Sequence, residues 1–262
     1  MTDPAVTTVD LDGYPIRVWT KGSGPKIGFF AGFGGLPRWV PFLDRLAEKR
    51  TVIVPSLPGF PGGDKAHTVI DSHLDWIVAM RSIFVEAGLE GAELVGSSLG
   101  GALAAEIAAL WPQAVRRLVL IAPFGIYRED DPTESLFAQR PDDVPGLLCA
   151  NPEIYTKLKE EPAGANSVEW ALEQTRANEA AARFLWPLGD TRLARRLPLL
   201  KTPTLLLWGA EDRVIPKSYA DYFAKLMKGP TEFRTIAGAG HLAELDKPDE
   251  VAKAVLDFVG RG

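Results

Sequence analysis

Eight short apolar or β-branched runs, most of them followed by a longer stretch with helical spacing, constrain this 262-residue chain more than any other feature. The runs are 7–11, 16–20, 26–31, 51–55, 92–96, 118–122, 204–208 and 231–236. Stretches 39–49, 70–87, 99–111, 216–227 and 249–259 carry apolar residues three and four apart, the stripe by which a helix packs on a sheet. This alternation predicts an α/β fold: an eight-stranded, mostly parallel sheet with helices on both faces. Only Asp12-Gly13 and its flanks separate the first two runs, which leaves room for a turn but no helix. These two are therefore expected to form an antiparallel hairpin at one edge.

The rhythm breaks after residue 122. Residues 123–198 hold no buried-strand run, yet helical patterns such as 167–185 continue between prolines. A structureless loop of that length is improbable in a compact domain, so a helical cap inserted over the strand ends is expected. The division is then a core of residues 1–122 and 199–262 and a cap of 123–198. Aromatic and apolar residues are frequent in the cap, including Phe124, Phe137, Trp170, Phe184 and Trp186, and some are expected to line a substrate pocket.

Composition removes several function classes. With 29 Lys and Arg against 34 Asp and Glu and no long block of one sign, the chain lacks the basic surface that nucleic acid requires, so no nucleic-acid partner is expected. The single cysteine, Cys149, has no partner for a disulfide or a zinc knuckle, which suits a reducing, cytoplasmic location. Met1-Thr2-Asp3-Pro4 is not a basic leader, and the most apolar long stretch, 94–111, is interrupted by glycines, serines and Glu106. Neither a signal peptide nor a membrane association is expected.

The chemistry concentrates at Gly96-Ser97-Ser98-Leu99-Gly100, a G-x-S-x-G pattern between a predicted strand and a predicted helix. Ser98 would stand in a turn too sharp for side chains two positions away, and Gly96 and Gly100 remove them. The N-terminus of the following helix would favour negative charge developing near the hydroxyl. A serine needs a base, and histidine has the suitable pKa. Of the three histidines, only His241 lies on a turn beyond a strand end, after Gly238-Ala239-Gly240. His67 and His73 sit near the start of the helical stretch before the elbow. His67, Asp71 and Asp75 have four-residue spacing but read as a solvated first turn, so no metal is expected. Asp212, after the buried run 204–208, is the acid expected to orient His241, with Glu211 as the neighbouring alternative.

The order Ser98, Asp212, His241, together with Gly32-Phe33-Gly34-Gly35, Pro55-Ser56-Leu57-Pro58-Gly59-Phe60, Trp208-Gly209-x-x-Asp212-x-x-x-Pro216 and Gly240-His241 followed by Asp246-x-Pro248, resembles the α/β-hydrolase family over nearly the whole chain. The resemblance implies an oxyanion hole built from the backbone N–H of Leu99 and that of Phe33, with Gly34 as the alternative to Phe33. The family often has His-Gly before this loop, where this chain has Ala31-Gly32; Ser56 and Pro61 also stand where Asp and Gly are frequent.

The expected activity is acyl transfer to water through an acyl-enzyme, with small hydrophobic carboxylic esters as first substrate class. The alternative is cleavage of a carbon–carbon bond in ring-fission products, although Leu242 follows the histidine where such relatives often have tryptophan. From another class stands a small-molecule receptor that retains the triad. The partners expected are a small ester or ketone-type substrate and water, with the chain a monomer or homodimer. No cofactor is implied: Gly32-Phe33-Gly34 lacks the third glycine of a dinucleotide loop, where Pro37 stands, and neither a P-loop nor HExxH occurs.

Overall fold

Each of the eight apolar runs forms a strand. The computed structural model describes residues 2–261, so Met1 of the amino-terminal reading and Gly262 at the end of the core segment lie outside the described residues. The strands are β1 (Ala5–Leu11), β2 (Tyr14–Lys21), β3 (Lys26–Phe30), β4 (Thr51–Pro55), β5 (Ala92–Ser97), β6 (Val115–Ile121), β7 (Thr204–Gly209) and β8 (Thr231–Ile236). The helices are α1 (Pro41–Ala47), α2 (His73–Glu86), α3 (Ser98–Leu110), α4 (Val144–Leu148), α5 (Pro152–Lys159), α6 (Ser167–Leu185), α7 (Ser218–Leu226), α8 (Ala243–Asp246) and α9 (Pro248–Val259).

One sheet holds all eight strands in the order β1-β2-β4-β3-β5-β6-β7-β8. The β1–β2 hairpin is antiparallel, and β2 continues antiparallel onto β4; the remaining pairings are parallel. Every residue of β5 and β7 is buried, whereas β1 and β8 at the edges are largely exposed or half-buried. From β3 the chain steps one way to β4 and then crosses back over β3 to β5. Right-handed crossovers of opposite direction place helices on opposite faces, so α1 packs with α9 while α2 packs with α3. Strand order therefore reverses between β3 and β5, and the crevice beyond their carboxyl ends is where open α/β sheets bind ligands.

Helix starts follow local chemistry. Ser72 and Asp75 form a reciprocal capping box that begins α2 at His73. This corrects the placement of His67: it lies in a separate 3-10 turn, Ala66–Val69, and Ile70 is extended, so His67 shares no helical face with Asp71 and Asp75. Nor is it solvated. Its ring is buried, with Nε2 3.4 Å from Glu179 Oε2 on α6.

Between β6 and β7 the described residues form no strand, only α4, α5, α6 and short 3-10 turns, and this helical insertion lies against the loops that follow β3, β7 and β8. Its return to the core is pinned by charge. Glu106, the one charged residue of α3, is fully buried and takes both arms of Arg196 at 2.5 Å, while Arg196 also donates to Thr191 O. Removing Arg196 leaves the buried Glu106 carboxylate with only the His73 ring, whose Nε2 stands 3.3 Å from Oε1. Arg196→Met is expected to lose about 3 kcal/mol in urea unfolding, and the double change with Glu106→Met to recover more than half of that.

Candidate active site

The loops after β3, β5, β7 and β8 meet at the sheet's carboxyl edge. Ser98 follows β5 directly and opens α3 with φ +54, a left-handed angle that costs a non-glycine residue about 1–3 kcal/mol. A Cβ on Gly96 would stand 2.7 Å from Ala104 Cβ, and one on Gly100 would stand 2.6 Å from the carbonyl carbon of Phe30. Both glycines thus let the elbow fit between β3 and its own helix. Phe124 N–H donates to Ser98 O at 3.1 Å, which ties the end of β6 to the turn.

Ser98, His241 and Asp212 are brought together. His241 Nε2 lies 2.8 Å from Ser98 Oγ, and Nδ1 lies 3.0 Å from Asp212 Oδ2. Because a carboxylate only accepts, Nδ1 carries the ring proton and Nε2 is left to accept from the serine hydroxyl. Asp212 is itself fixed: Oδ1 accepts from the N–H groups of Val214 at 2.8 Å and Ile215 at 2.9 Å, and Trp208 Nε1 closes the same turn by donating to Ile215 O. Glu211, the alternative acid, is exposed and contributes only a backbone bond to Ala239. The Phe124 ring meets the His241 ring edge-on, with centroids 5.5 Å apart.

Gly32 to Gly35 form a turn closed by Gly35 N–H to Gly32 O at 3.0 Å, with Gly34 at φ +77 as the left-handed corner. Phe33 holds the preceding corner, whose N–H such a turn does not use. The turn lies on the elbow: a Cβ on Gly32 would be 3.0 Å from Ser98 Cβ. Leu99 is the second residue of α3, where backbone N–H groups have no partner within the helix. Phe33 and Gly34 also form part of the wall of a cavity of about 860 Å³ shared with the helical insertion, including Phe137, Tyr155, Lys159 and Gln174. Ser98 and His241 are themselves fully buried.

Three residues escaped the sequence reading. Asp246 was visible only as part of a motif; its carboxylate accepts from Gly240 N–H and Ala150 N–H, both at 2.8 Å, and from Asn151 N–H, joining the histidine loop to the start of α5. Lys159 touches the glycine turn from the insertion, and burial pushes its ammonium down to about 7, with Glu173 acting in the opposite direction. Glu244, three residues beyond His241, is 3 % exposed, with Oε2 unpartnered among the described residues.

Burial raises the Glu244 carboxyl to about 7, against the opposing pull of Ser97 and His241. The folded chain therefore keeps a proton that the unfolded chain gives up near 4.5, and stability falls as pH rises from about 4.5 to about 7. Glu244→Gln removes that slope. Its stability relative to wild type is expected to improve by up to about 3 kcal/mol between about pH 4 and pH 8 in urea titrations.

No cluster of His, Cys, Asp or Glu among the described residues can hold a metal ion, and no described helix is long and apolar enough to cross a membrane. A family model described as alpha/beta hydrolase family matches residues 28–254. The chain is 27% identical, over 97% of its length and 94% of the relative's, to a 2-hydroxy-6-oxo-6-phenylhexa-2,4-dienoate hydrolase of Comamonas testosteroni. It is 26% identical, over 96% of its length and 68% of the relative's, to the dihydrolipoyllysine-residue acetyltransferase component of an acetoin cleaving system of Cupriavidus necator. Among solved structures, a bacterial membrane phospholipase A is similar at a TM-score of 0.72 and 25% identity, with 98% of this chain and 86% of that one covered.

Proposed function

Because the chain belongs to the alpha/beta hydrolase family, we propose that it is a serine hydrolase working through an acyl-enzyme, and that carboxylic esters with small hydrophobic groups are its substrates. The observation that carries the reading is the relay from Ser98 Oγ through His241 to Asp212, at 2.8 and 3.0 Å, on a strained turn opening a helix.

In this reading His241 Nε2 takes the Ser98 proton as Oγ adds to the substrate carbonyl. The Leu99 and Phe33 N–H groups donate to the oxyanion, with Gly34 as the alternative to Phe33, and the leaving alcohol departs with the proton from His241. Water, activated by the same imidazole, then frees the acid. Asp212 keeps the imidazole in the required tautomer and stabilises the imidazolium. Residues 123–198 serve as the cap over a core of 1–122 and 199–262. A cytoplasmic location suits the lone Cys149, which is buried.

A second reading, cleavage of a carbon–carbon bond next to a ketone, is favoured by the likeness to the dienoate hydrolase over nearly all of both chains. The same nucleophile and hole serve it. The test is one panel: p-nitrophenyl esters from acetyl to octanoyl beside a dienol-dienoate chromophore. Multiple turnover of the esters, fastest with one acyl length, is expected. Bleaching of the chromophore with idle esters would transfer the assignment to the second reading. Ligand-induced stabilisation without turnover of either class would leave a receptor.

A further inference from the structure

The turn that carries the Phe33 donor has little of its own to hold it. Ala31-Gly32-Phe33-Gly34-Gly35 has one polar-free bulky side chain, and Gly34 and Gly35 are both left-handed, at φ +77 and +63. An oxyanion donor is useful only where it is fixed beforehand, because a displacement near 1 Å forfeits most of its effect.

The missing support comes from the cap. Lys159, the last residue of α5, donates from Nζ to Gly34 O and, at 3.5 Å, to Gly35 O. Tyr155, one helical turn earlier, packs on the same side: a Cβ on Gly34 would stand 2.5 Å from its hydroxyl and 3.1 Å from Lys159 Nζ. No carboxylate among the described residues forms an ion pair with Lys159. Glu173 acts on it only from beyond ion-pair distance, and the hydrogen bonds of its ammonium go to the two glycine carbonyls. Lys159 is half-buried as a residue, and its ammonium is spent on backbone carbonyls beside a large cavity. What it fixes is the peptide next to the donor.

On the reading of Ser98 as nucleophile and Phe33 as donor, we propose that Lys159 is a positioning residue: it locks the oxyanion turn from the cap, so that the hole is complete only when α5 is seated on Gly34. The consequence is that the lock acts on the transition state more than on substrate binding.

The test uses the full chain on the acid side of neutrality, where Lys159 is protonated, with its preferred p-nitrophenyl ester and an alkyl trifluoromethyl ketone. With the ketone, Ser98 Oγ bonds to the carbonyl carbon, the C=O π pair moves to oxygen, and the serine proton passes to His241. The resulting hemiketal is read by fluorine NMR. In Lys159→Met, kcat is expected to fall about tenfold with KM within about twofold, and the ketone's inhibition constant to rise by a similar factor. Lys159→Arg, which keeps the charge and its donors, is expected to recover most of both. Equal kcat in Lys159→Met, or a fall in kcat with unchanged ketone affinity, overturns the proposal; Lys159→Gln supplies the same readouts should the methionine variant not fold. Wild type that forms no hemiketal on Ser98 overturns the nucleophile reading instead, whereas hemiketal of equal strength in both proteins overturns only the role of Lys159.

Discussion

Ser98→Ala is expected to lower kcat for the best ester by about 10⁵-fold or more while the protein stays folded. The size follows from the geometry. The only atom deleted is the Oγ that faces His241 Nε2 at 2.8 Å, and the hydroxyl of neighbouring Ser97 makes no hydrogen bond to His241. Alanine keeps the Cβ that the left-handed turn already accommodates, so no new strain arises, and the turn's bond from Phe124 N–H uses backbone alone. On the proposed reading, what remains is the stabilisation that the Leu99 and Phe33 amides would give to attack by water, small beside the loss. The measurement is kcat on purified protein, with the melting temperature as the control for folding. Activity within about a hundredfold of wild type would remove Ser98 from the mechanism.

Asp212→Asn carries the second largest expected effect, a fall of about 10⁴-fold in kcat. The carboxamide oxygen can take over the bonds that Oδ1 accepts from Val214 and Ile215, and this turns the amide NH₂ towards His241 Nδ1. Two donors cannot face each other, so the imidazole moves its proton to Nε2 and presents N–H, not a lone pair, to the serine. The turn survives and the base is lost. Glu211→Gln is the contrast: its side chain is exposed, and activity within about twofold of wild type is expected. Reversal of the two outcomes in parallel assays would exchange the acids.

The extent to which the molecule can be read from its sequence follows the range of the interactions. The run 204–208 and the elbow Gly96 to Gly100 carry their structure locally, in burial and in glycines that sit where a Cβ would strike backbone or helix; both stand where expected. So does α6, whose Asn166 side chain caps its first turn. The antiparallel hairpin also forms, yet its pairing with β4 instead of β3 depends on a crossover that no run length encodes. Helices α4 and α5, of five and eight residues, are too short for a repeating stripe and were not legible. Neither were the ties made by Lys159 and Asp246, each of which joins groups 95 to 125 positions apart. His67 misled because charged residues at four-residue spacing look like one helix face, and only the capping box at Ser72 breaks that register.

The central claim is that Ser98 is the nucleophile, and covalent trapping tests it most directly. The purified chain is treated with a fluorophosphonate, which leaves its phosphonyl group on an activated serine as fluoride departs, and the labelled site is mapped by peptide mass spectrometry. One phosphonyl group per chain, on Ser98, is the expected result. An unlabelled chain, or a label on Ser97 or any other residue, would contradict it.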